Sequence, residues 1–286
     1  MTARLLRGIA LVVAALVAAT AVRAAELPSG ISLRGKWTQG AVLFGKAPVG
    51  TRVWVGGREL KLTPGGNFVF GLDRDAPRDA VLRVQMAGQA DPRDYHYAVE
   101  QRQYKIQHID NLPEKMVTPP KDVIDRIIAD ANEVKAVRQI ETDGTGFLQP
   151  FIWPARGRIS GVFGSQRILN GQPKQPHYGV DVAVPVGTKV HAPADGVVVL
   201  AEPNLYYTGG TLMVDHGYGL QSAFLHLSKL LVKKGQHVKQ GDVIALSGMS
   251  GRATGPHLDW RVNWFDERVD AQMLVPPMSS ATPIQH

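Results

Sequence analysis

The 286-residue chain contains no cysteine. That excludes disulfides, a thiolate zinc site, a thiol nucleophile and a lipidated N-terminal cysteine, so any metal must be held by histidine and carboxylates. The apolar run from Ile9 to Ala21 stops at 13 residues, too short for a comfortable membrane span. Lysine- or arginine-rich blocks and aromatic–basic interleaving are also missing, which argues against nucleic acid as a partner. With 30 Gly and 19 Pro, turns are frequent and the composition argues against an all-helical bundle.

The first residues carry an export signature. Arg4 and Arg7 form a basic start, the short apolar run follows, and Val22-Arg23-Ala24 or Ala19-Thr20-Ala21 supplies small residues for cleavage. A signal peptide over 1–24 predicts a periplasmic or secreted protein with no stable membrane span once it is removed. Losing Arg4, Arg7 and Arg23 lowers the formal net charge from +7 to +4, a mild excess that suits an anionic envelope without demonstrating one. Nothing in the sequence sets the oligomeric state.

Residues 25–106 read as short strands with turns. Arg52-Val53-Trp54-Val55 and Arg58-Glu59-Leu60-Lys61-Leu62 flank Gly56-Gly57, a two-residue hairpin signal. Leu82, Val84 and Met86 alternate with polar residues, as do Tyr95, Tyr97 and Val99. Seven or so such strands predict a small β-sandwich without clustered His or carboxylates. A linker over 107–146 holds a helix at about 119–140, with Thr118 as cap, Pro119 at the first position and Ile124, Ile127, Ala131 and Val134 as a packing stripe. From 147 to 275 glycines punctuate apolar runs such as Gly196-Val197-Val198-Val199-Leu200, and a strongly bent antiparallel sheet with functional loops is expected. Residues 276–286 form a tail. The fold class is mainly β: two β-rich domains joined by a helix.

Histidine marks the second domain. His177 and Asp181 stand four apart, His226 lies in Phe224-Leu225-His226-Leu227-Ser228, and His257 and Asp259 stand two apart. Residues two apart in a strand share a face, so His257, Asp259 and Arg261 project together while Leu258, Trp260 and Val262 enter the core. That gives chemically active groups a rigid backbone and an apolar backing. The serines Ser160, Ser165, Ser228 and Ser247 have no Ser-His-Asp context.

The ordered set resembles the lysostaphin/LytM-type (β-lytic) zinc metallopeptidases, which cleave peptidoglycan peptides. The similarity spans about Gly157 to Trp264. It includes Arg158-Ile159-Ser160-Gly161-Val162-Phe163-Gly164, His177-Tyr178-Gly179-Val180-Asp181, Pro193-Ala194-Asp195-Gly196, Leu225-His226-Leu227-Ser228, Gly235-Gln236-His237-Val238 and Thr254-Gly255-Pro256-His257-Leu258. The N-terminal β-module and helix also resemble the companion region of proteobacterial members. The resemblance implies a LytM-like peptidase domain, a peptidoglycan peptide substrate and a metal-activated water. It places metal ligands on His177, Asp181 and position 259, and catalytic histidines on His226 and His257.

Position 259 departs from the family's H-x-H pair, because Asp stands where the second histidine is expected. Zinc accepts Asp oxygen at nearly the His nitrogen distance. A His-Asp-Asp set nevertheless leaves a divalent ion formally neutral before water binds, and its extra oxygen admits manganese or iron beside zinc. The alternative reading is a catalytically impaired LytM-like module that binds the wall or activates an amidase. Of the other histidines, His191, His216 and His237 in the second domain read as structural, core-edge or solvent residues. The hairpin from Val232 to Asp242 resembles carrier folds in sheet geometry only, and Tyr206-Tyr207 before Gly209-Gly210 reads as a groove-side loop.

Overall fold

Alternating apolar residues become strands wherever every second side chain finds a core to enter. The computed structural model describes residues 26–111 and 119–278. The expected signal peptide, Thr118 and the end of the tail lie outside them. In the N-terminal part the strands are β1 (Ser32–Arg34), β2 (Val42–Lys46), β3 (Arg52–Val55), β4 (Arg58–Glu59), β5 (Asn67–Gly71), β6 (Asp79–Gln85) and β7 (Arg93–Ala98). They make two antiparallel sheets, β1-β2-β5 and β4-β3-β6-β7. Gly56 and Gly57, with φ of 56° and 81°, close the β3–β4 hairpin in a conformation that side chains resist. Leu43, Val53, Phe68, Phe70 and Leu82 are fully buried in the core that results. Each such side chain contributes on the order of 2 kcal/mol through burial.

The next strand, β8 (Ile106–Ile109), leaves the sandwich. A short 3-10 turn at Lys121–Val123 precedes the helix α1 (Ile124–Arg138). The packing face runs through Val134, Val137 and Ile140, which sit on Val199, Leu200, Leu205, Met213, Ala223 and Leu225. The expected stripe therefore meets the protein only at its C-terminal end, and Ile124 and Ile128 remain exposed. The Gln221 amide anchors that end by donating to the carbonyls of Val137 and Ile140, both at 3.1 Å.

The C-terminal part carries β9 (Arg158–Gly161), β10 (Gln166–Leu169), β11 (Gln172–Pro173), β12 (Gly179–Ala183), β13 (Lys189–His191), β14 (Gly196–Leu205), β15 (Gly209–Asp215), β16 (Leu220–Leu227), β17 (Lys229–Leu230), β18 (His237–Val238), β19 (Val243–Leu246), β20 (Leu258–Trp264) and β21 (Glu267–Val269). The main sheet has the order β18-β14-β15-β16-β20-β12-β9, with β21 added on β20, and a smaller sheet runs β13-β19-β17. Register fixes the two faces of the main sheet. Leu212, Phe224, Trp260 and Val180 form one cross-strand row and are fully buried in the core. The adjacent rows face the other way. One holds Met213, Ala223, Arg261 and Gly179, and the next holds Leu225, Asp259, Asp181 and Gly161. Helix α1 covers part of this second face.

The two β-rich parts are joined by more than chain. β8 pairs in parallel with β10, so part of the segment expected as linker belongs to a sheet of the C-terminal part. Arg74 is 7% exposed and donates from Nε and Nη2 to the Gly164 carbonyl at 3.0 and 2.8 Å, with its guanidinium over the Tyr104 ring. Arg102 pairs with the buried Asp270 at 2.9 Å, and the Asp270 amide donates to the Gly40 carbonyl. Among the described residues no helix is long and apolar enough to cross a membrane.

Candidate metal centre

The polar face of β12 and β20 presents carboxylates at adjacent positions. Asp181 and Asp259 are direct cross-strand partners, and His177 reaches the same place from the loop before β12. The ligand atoms of His177, Asp181 and Asp259 all lie within 4.8 Å of one another. His177 Nε2 and Asp181 Oδ1 are 3.2 Å apart, yet both are buried atoms without a hydrogen-bond partner. Two buried polar atoms this close, without hydrogen-bond geometry between them, are placed to share a cation. The donors also fit a divalent ion chemically, since imidazole nitrogen and carboxylate oxygen suit zinc at about 2.0–2.2 Å.

Two glycines shape the space. A Cβ on Gly161 would run into the Asp181 carboxylate, and one on Gly179 into Asp259 Oδ1. Both are cradles for the acids. The sequence shows them only as punctuation, because their role appears when β9, β12 and β20 are placed in register.

His226 and His257 flank the cluster with ring centroids 4.8 Å apart. His257 Nδ1 lies 2.8 Å from the Gly255 carbonyl, and His226 Nδ1 lies 2.8 Å from the Ser250 carbonyl. A carbonyl only accepts, so each Nδ1 carries the proton and each Nε2 is left with a free lone pair in the neutral ring. His257 Nε2 is 3.8 Å from Asp181 Oδ1. His226 is delivered by a bulge: between Leu227 and Phe224, β16 holds one residue more than β15 does opposite it. Its φ of 63° is unusual for a residue with a Cβ, a strain that clusters at functional sites. Its amide donates to the Thr208 carbonyl at 2.8 Å, tying it to the loop that follows Tyr206 and Tyr207. That loop is clamped to α1 by the Tyr206 amide, which donates to Asp130 Oδ2 at 2.6 Å.

Charge in the site is uneven. Asp259 is 2% exposed and burial works against its ionisation, but Arg261 and then His177 overcome that and hold the carboxyl below its usual range. Arg261 Nη2 donates to Asp259 Oδ2 at 2.6 Å, and Nε to Oδ2 at 3.0 Å and Oδ1 at 3.1 Å. Burial lowers His177, but Asp181 and Asp259 outweigh it and leave it raised. Burial lowers His226, which favours the neutral imidazole.

The other histidines lie elsewhere. His216 is fully buried, with Nδ1 2.8 Å from the Asp195 carbonyl and Nε2 2.9 Å from Ser222 Oγ. His191 Nδ1 lies 2.8 Å from the Gly241 carbonyl at a turn, and His237 is exposed. The roles of Ser250, Gly255 and Arg74 around the site have no local signal in the sequence. Each acts through a backbone atom or a partner distant along the chain.

Residues 175–271, which include all five site residues, match the profile of Peptidase family M23. The chain is 43% identical over 131 residues to the Vibrio cholerae peptidoglycan DD-endopeptidase ShyA, covering 45% of this chain and 30% of that protein. It is 34% identical over 146 residues to the Neisseria meningitidis DD-carboxypeptidase/endopeptidase Mpg, covering 51% of this chain and 31% of that one. The chain thus spans about a third of the length of these curated relatives. A Pseudomonas aeruginosa M23-family protein of known structure is similar over 84% of this chain and 95% of its own, at 30% identity and a TM-score of 0.64. The similarity therefore extends through the N-terminal sandwich as well as the site, and the chain belongs to peptidase family M23.

Proposed function

We propose that the chain is an exported metallo-endopeptidase that hydrolyses stem-peptide cross-links of peptidoglycan. The carrying observation is the convergence of His177 Nε2, Asp181 Oδ1 and the Asp259 carboxylate, two of them buried atoms without a hydrogen bond, beside two histidines whose Nδ1 atoms are held by backbone carbonyls. The activities for which the relatives in Vibrio and Neisseria are named support the same reading. In a Gram-negative source the bond would be of the D-alanyl–diaminopimelate type, by analogy of fold.

His177, Asp181 and Asp259 would hold the ion, with zinc fitting the donor set and manganese or iron admitted by its oxygens. Once bound, the ion supplies a Lewis acid and an acidified water. The chain's own groups do the rest. His226, kept neutral by burial, takes up a proton at Nε2 and can return it to the departing amine. His257, whose ring centroid is 4.8 Å from that of His226, would orient the attacking water or stabilise the developing oxyanion from Nε2. The Ser250 and Gly255 carbonyls hold both rings in the required tautomer. The Tyr206–Thr208 loop, held to α1 through Asp130, supplies the Thr208 carbonyl that accepts from the His226 amide.

The test is metal analysis of the purified mature protein together with muropeptide digestion by wild type and His257→Ala. Stoichiometric metal in both, with digestion lost in the variant, supports the enzyme. An empty site and intact muropeptides under zinc and manganese supplementation would overturn it in favour of a wall-binding or amidase-activating module. N-terminal sequencing of protein recovered from the periplasm or medium tests cleavage near Ala24.

A further inference from the structure

We propose that Arg261 is a working part of the metal centre: its guanidinium cancels the charge of Asp259, so the Asp259–Arg261 pair is the electrical equivalent of a neutral imidazole. The inference rests on the metal-dependent reading above and adds a positioning residue to it. Two carboxylates and one imidazole would leave a divalent ion with no formal charge, and such an ion polarises a carbonyl poorly. The missing positive charge stands two residues along the same strand. Arg261 shares the site face of β20 with Asp259 and places Nη2 2.6 Å from Oδ2. Nε adds contacts of 3.0 and 3.1 Å to the two oxygens.

Three features make the pair more than a surface ion pair. The carboxylate is 2% exposed and the guanidinium side chain 28%, so water screens the contact weakly. Oδ2 takes two of the three hydrogen bonds, which leaves Oδ1 with a single longer one and lone pairs to spare. The planar fork fixes the short aspartate side chain in one orientation, which a lysine ammonium would not do. Gly179, opposite Arg261 on β12, leaves room for the arrangement, because a Cβ there would meet both Asp259 Oδ1 and Arg261 Cγ.

A prop that merely oriented Asp259 and a charge that balances it differ in the sign of one measurement. Zinc affinity is measured by chelator competition on the mature full chain for wild type, Arg261→Gln, Arg261→Met, Asp259→His and the double variant Asp259→His/Arg261→Gln. Removing the arginine restores the full attraction of two carboxylates, so each Arg261 variant should bind zinc at least about tenfold more tightly. Muropeptide turnover by the same zinc-filled variants should fall. Asp259→His alone should bind zinc at least about tenfold more weakly, and removing Arg261 from it should recover that loss. The Met variant keeps the apolar stem should the Gln variant fold poorly. Unchanged or weaker zinc binding in the Arg261 variants overturns the role given to Arg261 while leaving the metalloenzyme standing. Wild-type protein that binds neither zinc nor manganese overturns the metal-dependent reading, and this inference with it.

Discussion

Asp181 and Asp259 stand directly opposite each other on β12 and β20, two carboxylates side by side on one face of a sheet. Like charges in that position destabilise a strand pair, and each is offset by a neighbouring base: Arg261 on Asp259, and His177, whose Nε2 lies 3.2 Å from Asp181 Oδ1. Asp181→Asn should abolish stabilisation by zinc and, because it removes the repulsion and the His177 attraction together, shift the stability of the metal-free protein by less than about 1 kcal/mol. Thermal unfolding in chelator and in zinc reads both effects. A variant still stabilised by zinc would contradict the role given to Asp181.

The positive φ of His226 makes a second, unusual prediction. Glycine in a strand is normally worse than alanine, but here the backbone conformation favours it. His226→Gly should be more stable than His226→Ala by about 1 kcal/mol, with both variants inactive. Denaturant unfolding of the two variants decides it, and the reverse order would show that the bulge carries no strain.

His216 couples stability to pH. Burial pushes it down to about 4, in a network where Trp260 Nε1–H donates to Ser222 Oγ and neutral His216 donates from Nδ1 to the Asp195 carbonyl. The unfolded chain takes up the proton first, near pH 6.5, so the contribution is complete above that value. It is lost as the pH falls from about 6.5 towards 4, by about 3 kcal/mol in all. Chemical unfolding across that window should show a slope in wild type that His216→Gln lacks. Equal slopes would mean that other groups set the acid limb.

Arg74 reaches the site through backbone. It donates twice to the Gly164 carbonyl, the Gly164 amide donates to the His177 carbonyl at 2.8 Å, and the His177 amide to the Ser165 carbonyl at 2.7 Å. Arg74→Met should cost about 2–3 kcal/mol of stability and weaken zinc binding, because the loop that carries His177 loosens. Arg74→Lys should recover part of the zinc affinity. Calorimetric unfolding and chelator competition measure the two, and a destabilised variant with wild-type zinc affinity would confine Arg74 to the domain junction.

Much of the site was legible because its elements are local. The alternation His257, Asp259, Arg261 against Leu258, Trp260, Val262 needs only a period of two, and the three apolar residues are indeed fully buried. The sandwich strands announced themselves through the same period and through Gly56-Gly57. What escaped was long-range. The Arg261 fork on Asp259 was hidden because a shared face does not specify a hydrogen bond. Gly161 and Gly179 acquire meaning only when neighbouring strands bring carboxylates against them. On α1, only the Val134 end of the periodic stripe packs, in a face shared with Val137 and Ile140, while Ile124 stays exposed. Strand β8 went unread because its partner β10 lies some sixty residues further on and contributes the pairing that defines it.

The parallel pairing of β8 with β10 has a practical meaning for anyone recombining such proteins. A graft that keeps residues 147–275 and replaces everything before them would strip an edge from the sheet beside the His177 loop and expose its backbone groups. The same cut would remove the guanidinium cap from Gly164. The natural exchange unit is therefore the whole described chain, sandwich included, and its front half is better regarded as scaffolding for the loop than as a detachable accessory.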